Sequence, residues 1–198
     1  MIDDLLRPPE TPWAVAADGV RGAALLSVIA VLLWWGPVEF AVLFLVLGGV
    51  LLSRMIPVDS RIDTAYGVVL LVAAWSAVTD LYEVVSWWDL AIHTVATAAI
   101  APIAYLLLLR MGYLPRPEAT RRAATGVTIL TLALGLSLSV VWEFAEWGGN
   151  RYITNEINVG YEDTLGDIAV GGLGSLASGV LLASVLTRRR NRISVNAS

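Results

Sequence analysis

Long apolar segments separated by short polar stretches dominate the pattern of this chain. Between Ala23 and Ser53 the only charged residue is Glu39, and a single helix of that length would exceed a ~30 Å hydrocarbon core by about half. A break between Gly36 and Pro37 gives two shorter spans, because proline fits the first turn of a helix. One long tilted helix is the alternative, and it would move the amino terminus to the other side of the membrane.

Taken along the whole chain, the pattern predicts six membrane-spanning helices. Each segment is close to the ~20 residues that a helix needs to cross a bilayer. The segments cover about residues 21–36, 38–54, 62–80, 89–109, 122–146 and 163–186. In the sixth segment Gly171, Ser175 and Gly179 recur every four residues, which predicts close approach by another helix. The predicted fold is therefore all-α, one polytopic membrane bundle of about six transmembrane helices.

The distribution of arginine predicts the orientation of these helices. With six spans, all but one of the 13 basic residues fall on one side, and Arg151 alone falls on the other. By the positive-inside rule both termini are then cytoplasmic. Six of the eight tryptophans fall on the opposite side, as in an interfacial aromatic belt. The chain then divides into a cytoplasmic segment at 1–20, a transmembrane domain at 21–187 and a basic cytoplasmic tail at 188–198.

Composition supports a multi-pass protein of the cell membrane, in contact with the lipid bilayer. The chain is 57% hydrophobic and only 15% charged, far more apolar than a soluble domain requires. It has no cysteine and a single histidine, His93, so a metal would be held by oxygen and imidazole. No GxSxG, Walker or Rossmann pattern is present, and nothing indicates nucleic-acid binding. The pattern leaves the oligomeric state open.

Acidic residues and the single histidine concentrate at the predicted outer ends of four spans. They are Asp80, Asp89, His93, Glu143, Glu146, Asp163 and Asp167. Glu143 and Glu146 are three residues apart, and Asp163 and Asp167 are four apart, so each pair shares a helix face. Ionised groups at the edge of apolar spans are expensive, and proteins keep them for function or for a specific pairing.

The residue types in this group indicate a divalent metal. Carboxylates with one imidazole suit Mg, Mn or Zn, because the cation relieves the repulsion between the acids. The expected ligands are His93, Glu143, Glu146, Asp163, Asp167 and Asp89. Glu143 and Glu146 are also predicted to lie at a helix carboxy terminus, where the dipole disfavours negative charge. Structural alternatives remain for Asp163 as a helix cap, Asp89 as a solvated boundary residue and His93 as a partner of a neighbouring helix.

The order of motifs resembles a known family. A histidine-bearing span, then WEFAEW, then YEDTLGD opening a glycine-rich span is similar to the YjdF-type family of small multi-pass bacterial membrane proteins, over about residues 60–185. That family has no assigned activity. The resemblance implies shared polar positions: the family's histidine at His93, its glutamates at Glu143 and Glu146, its aspartates at Asp163 and Asp167, and the acid ahead of its histidine at Asp89. The loop before Asp163 has fewer aspartates than the family pattern. A weaker likeness links the polar cluster to VanZ-like proteins.

These observations lead to three hypotheses from different classes. In the first, an outward-facing polar pocket binds a divalent metal and binds or acts on a lipid-linked substrate or other small molecule. As an enzyme it would use metal-bound water as the nucleophile, with His93 or Glu143 as the catalytic base. In the second, the protein is an ion- or proton-coupled transporter. In the third, the acids serve only to fasten the helices.

The predicted topology can be tested with single cysteines, since the chain has none of its own. A cysteine replacing Asn155 lies in the loop predicted to face outward, so a membrane-impermeant thiol reagent should label it in intact cells. Labelling that appears only after the cells are broken would rule out the six-span topology.

Overall fold

The structure is a computed structural model that describes residues 5, 7–155, 157 and 159–195, with side chains as far as residue 187. Within these residues the chain forms helices and no strands. The helices are α1 (Pro12–Trp34), α2 (Pro37–Arg54), α3 (Ser60–Val78), α4 (Leu81–Val84), α5 (Trp88–Arg110), α6 (Arg121–Tyr152) and α7 (Tyr161–Val195).

Six of these helices, all except the four-residue α4, are long and apolar enough to cross a membrane. The prediction of an all-α protein with six spans is therefore confirmed. The break between the first two spans also lies where the proline predicts it. Pro37 is the first residue of α2, and the Glu39 carboxylate accepts a hydrogen bond from the backbone N–H of Gly36 at 3.0 Å. The side of the membrane on which the termini lie remains a prediction.

The first and last helices are longer than predicted. α1 begins at Pro12, nine residues before the predicted start at 21. The Thr11 hydroxyl accepts a hydrogen bond from the N–H of Ala14 at 3.1 Å, and Pro12 occupies the first turn. Because Thr11 caps the helix and proline suits its first turn, the helix begins in the polar segment ahead of the apolar span. α7 continues to Val195, into the predicted tail, whose last residues, 196–198, lie outside the described chain.

The chain divides into two compact units, residues 1–88 and residues 89–198. The first contains α1 to α4, and the second contains α5, from its second residue onward, with α6 and α7. The expectation that all six spans form one bundle remains a prediction, as does the division into domains.

A buried arginine joins the three long helices of the first unit. Arg21 lies about two and a half turns into α1. Its Nε donates to the carbonyl oxygen of Val50 at 2.8 Å, and its Nη2 donates to both carboxylate oxygens of Asp63 at 2.9 and 2.7 Å. Its Nη1 donates to Asp18 at 3.1 Å, and Ser53 Oγ donates to Asp63 at 2.7 Å. From the sequence, Arg21 is predicted only to lie at the membrane boundary. Its burial and ion pair could not be predicted, because its partners on α2 and α3 are about 30 to 40 residues away along the chain.

Replacement of Arg21 should therefore destabilise the first unit. Arg21→Gln leaves the Asp63 carboxylate without its guanidinium partner, whereas Asp18 keeps its ion pair with Arg54. Breaking a buried ion pair in this way costs about 3–5 kcal/mol. The matched control is Arg61→Gln, because Arg61 is exposed and contacts the Trp13 ring at 6.0 Å. Its loss should cost less than about 1 kcal/mol. Reversible unfolding in detergent measures both, and equal losses would contradict a fastening role for Arg21.

Small residues of α7 lie against the other helices of the second unit, as their spacing predicts. Gly171 faces Thr97 of α5 and Ser139 of α6, Ser175 faces Gly135 of α6, and Gly179 faces Thr128 and Thr131 of α6. The closest backbone approach is at Gly174, where an added Cβ would lie 2.2 Å from the carbonyl oxygen of Thr94. Glycine at this position allows α5 and α7 to pack with their backbones in contact.

Adding one methyl group at Gly174 should separate these helices. Gly174→Ala would force a Cβ against a backbone oxygen, and overpacking of this kind costs roughly 1–3 kcal/mol. Gly126→Ala is the control, since no atom lies within 4 Å of an added Cβ there. In a helix that change should be neutral or stabilising by up to about 1 kcal/mol. Melting temperatures in detergent compare the two variants, and a neutral Gly174→Ala would disprove the close approach.

Candidate metal centre

The amino-terminal part of α5 contributes an acid and the only imidazole. Asp89 and His93 are four residues apart, so they lie on the same helix face. His93 Nε2 is 3.4 Å from Asp89 Oδ1, and the imidazole side chain is only 10% exposed. Asp89 lies in the first turn, where the helix dipole favours a negative charge. The first two turns of α5 therefore place the imidazole one turn further along the helix than the Asp89 carboxylate, on the same face.

α7 brings a second carboxylate to the same imidazole. Asp167 is 2% exposed, and its Oδ2 lies 3.9 Å from His93 Nε2. Asp163, one turn closer to the helix start, is half-buried and near enough to Asp89 and His93 to interact with their charges. Because α7 begins at Tyr161, Asp163 belongs to the first helical turn and is not the cap residue.

α6 contributes the two glutamates, and here the structure corrects the prediction. Glu143 and Glu146 do not lie at a helix carboxy terminus, because α6 continues to Tyr152. The two glycines after Trp147 lower helix propensity, but the helix end packs against the following loop. Asn150 Nδ2 donates to the carbonyl oxygen of Ile157 at 2.6 Å, and a Cβ on Gly149 would lie 2.5 Å from Ile157 Cδ1. The argument from the helix dipole at these two glutamates is therefore wrong.

These side chains form two groups that share His93. The first contains Asp89, His93 and Asp167, and the second contains His93, Glu143 and Glu146. Within each group one ligand atom per residue lies within 4.8 Å of the others. Two ligand atoms on opposite sides of an ion, each about 2.0–2.6 Å from it, would be about 4–5 Å apart. The spacing within each group is therefore compatible with a bound ion. We call the five residues Asp89, His93, Glu143, Glu146 and Asp167 the acid–histidine cluster.

Two polar atoms, one in this cluster and one a helical turn from it, are buried without a hydrogen-bond partner among the described residues. They are Glu143 Oε1 and Ser139 Oγ, and both side chains belong to residues that are less than 10% exposed. By contrast, Glu146 Oε1 accepts a hydrogen bond from the ring N–H of Trp142 at 2.8 Å. A buried carboxylate oxygen without a donor is costly unless a ligand supplies one or a cation binds to it.

Three residues that the sequence pattern did not assign to the site lie one helical turn from the cluster, and of these only Gly171 was predicted, as a packing residue. Thr97 is four residues after His93, Ser139 is four before Glu143, and Gly171 is four after Asp167. Both hydroxyls lie beside Gly171. The spacing of four from each predicted ligand is the signal that could have identified this layer. Asp80 was predicted to lie with the acidic group but was not an expected ligand, and it belongs to the first unit, where it precedes α4 with φ 55°.

The apolar helices define the class of the protein: it is an integral membrane protein. It belongs to the DUF2238 family of predicted membrane proteins, which matches residues 19–188. This is the YjdF-type family indicated by the motif order, and the family's function is unknown. No curated protein and no solved structure matched the chain. The likeness to VanZ-like proteins is not supported by these comparisons.

Proposed function

We propose that the acid–histidine cluster binds a divalent cation. The observation that carries this proposal is the buried Oε1 of Glu143. It has no hydrogen-bond partner within the part of the chain that the structure describes, and Glu143 belongs to a group of residues whose ligand atoms lie within 4.8 Å of one another. A cation would satisfy this oxygen, directly or through a water that it retains, and would reduce the repulsion between the surrounding carboxylates. If basic side chains were already paired with these carboxylates, no cation would be required to offset their repulsion.

The charge balance of the cluster supports the same proposal. Four carboxyl groups surround one imidazole, and that imidazole contacts both Asp89 and Asp167. Carboxylate oxygens with one imidazole nitrogen are suitable ligands for Zn, Mn or Mg. Zn and Mn accept imidazole readily, whereas Mg prefers oxygen, so His93 favours the first two. Asp163, half-buried in the first turn of α7, would stand at the edge of the site.

The position of the cluster along its helices supports a substrate with a lipid head group. Asp89 is the second residue of α5 and Asp167 the seventh of α7, so the cluster would lie about one or two turns from the membrane interface. With the orientation predicted from arginine, this is the outer face of the cell membrane. In the enzymatic form of the proposal, the cation would supply an activated water, and His93 or Glu143 would be the base for hydrolysis of a lipid-linked phosphate or ester, with the lipid alcohol or acid as the leaving group.

A second candidate function is fastening, and the position of His93 between two carboxyl groups supports it. The imidazole contacts Asp89 on its own helix and Asp167 on α7, so it links α5 and α7 without any ligand. In this case the carboxyl groups would share protons in a hydrogen-bonded network.

Cation binding to the purified protein separates the two candidates. After removal of metal with a chelator, Mn²⁺ or Zn²⁺ should bind, and at 100 times its Kd should raise the free energy of unfolding by about 2.7 kcal/mol. His93→Ala and Asp167→Asn should weaken binding by on the order of 10- to 100-fold or more, because each removes a ligand. Isothermal titration and thermal unfolding in detergent measure both effects.

Glu162→Gln is the matched control, because Glu162 is an exposed acid in the first turn of α7. This variant should bind the cation as the unmodified protein does. The cation proposal fails if Mg²⁺, Mn²⁺ and Zn²⁺ all leave the melting temperature unchanged. If His93→Ala and Asp167→Asn still lower that temperature, the fastening function is favoured.

A further inference from the structure

We infer that the cation site extends one helical turn deeper, where Ser139 Oγ and Glu143 Oε1 together hold a water molecule bound to the cation. The inference rests on the proposed function and adds Ser139 as a further binding residue. Ser139 lies on the same face of α6 as Glu143, one turn away.

The hydroxyl of Ser139 differs from the other buried hydroxyls of the second unit. Thr97, Thr131 and Ser175 each donate to the carbonyl oxygen four residues earlier in their own helix, at 2.6, 2.8 and 2.8 Å. This is the usual way to satisfy a hydroxyl inside an apolar helix. Ser139 is 4% exposed, yet within the described residues its Oγ has no such partner. Its hydrogen is therefore available to a ligand.

Gly171 has no side chain to cover the Ser139 hydroxyl, and the Thr97 hydroxyl lies beside it. A Cβ at Gly171 would lie 2.6 Å from Ser139 Oγ and 3.0 Å from Thr97 Oγ1, so a side chain there would displace the Ser139 hydroxyl and crowd that of Thr97. Thr97 Oγ1 donates to the carbonyl oxygen of His93, which leaves its lone pairs able to accept. The three helices thus bring two hydroxyls and one carboxylate oxygen to adjacent turns.

A water molecule fits these atoms better than a direct bond from the cation to Ser139. Water can donate to Glu143 Oε1 and accept from Ser139 Oγ, and a buried water needs two to four polar partners of this kind. A neutral hydroxyl is a poorer ligand than the carboxylates already present, whereas Mg²⁺ and similar cations often keep bound waters. The ligand class is therefore a hydrated divalent cation with its retained water directed toward Ser139.

Removal of the hydroxyl tests this inference. Ser139→Ala should weaken Mn²⁺ binding about 10- to 100-fold, the usual effect of losing a group that supports a metal ligand. The melting temperature without metal should not fall, and should rise, because the variant removes a buried hydroxyl that has no partner among the described residues. Ser137→Ala is the matched control, because the Ser137 hydroxyl is on the same helix but exposed and bonded to the carbonyl oxygen of Ala133. It should leave the affinity unchanged.

A second measurement uses the unmodified protein, so it does not depend on whether the Ser139→Ala variant folds. Pulsed electron–nuclear double resonance of Mn²⁺ bound to the unmodified protein in D₂O should detect deuterons of at least one metal-bound water. Mn²⁺ that binds without any such water would overturn the inference, as would a Ser139→Ala variant with unchanged affinity, and both results would leave the proposed function standing. Absence of all cation binding to the unmodified protein would overturn both.

Discussion

The second unit depends on holding the carboxyl groups of three helices around one imidazole at the edge of apolar spans. Ligand atoms can lie within 4.8 Å of each other only if the helices that carry them approach closely. That approach requires the small residues one and two turns deeper, where Gly171 and Gly174 of α7 lie directly against neighbouring hydroxyls and backbone. The acid–histidine cluster and the small residues of α7 are therefore parts of one arrangement, since bulkier residues in the lower turns would separate the acids above them.

In the first unit, unlike the second, the buried carboxylates are paired with arginine. Arg21 donates through all three of its nitrogens, and Asp63 accepts from both Arg21 and Ser53, so positive and negative groups balance within the protein. A network of this kind needs no ligand. In the second unit four carboxyl groups lie around one imidazole, and a buried carboxylate oxygen has no donor in the described part of that unit. This difference in charge balance is the reason why the proposed ligand is assigned to the second unit.

Features that depend on local sequence were predictable, and features that depend on distant contacts were not. Six apolar segments, a proline at the start of α2 and the four-residue spacing in α7 follow from helix geometry alone, and the structure confirms them. The end of α6 was placed too early, because the contact of Asn150 and Gly149 with Ile157 stabilises a glycine-containing turn that propensity disfavours. The Arg21 network joins residues about 30 to 40 positions apart, and no periodicity reveals such a pairing.

The buried atoms without partners also discriminate between the two functions of the cluster. A network that serves only to fasten helices gains most when every donor and acceptor in it is satisfied, because each unsatisfied buried group costs about 1–3 kcal/mol. Ser139 Oγ and Glu143 Oε1 lie one turn apart on one helix face, and both lack a partner among the described residues. A ligand that contacts both atoms removes two penalties at once. The position of these two atoms therefore favours a site that binds something over one that only joins helices.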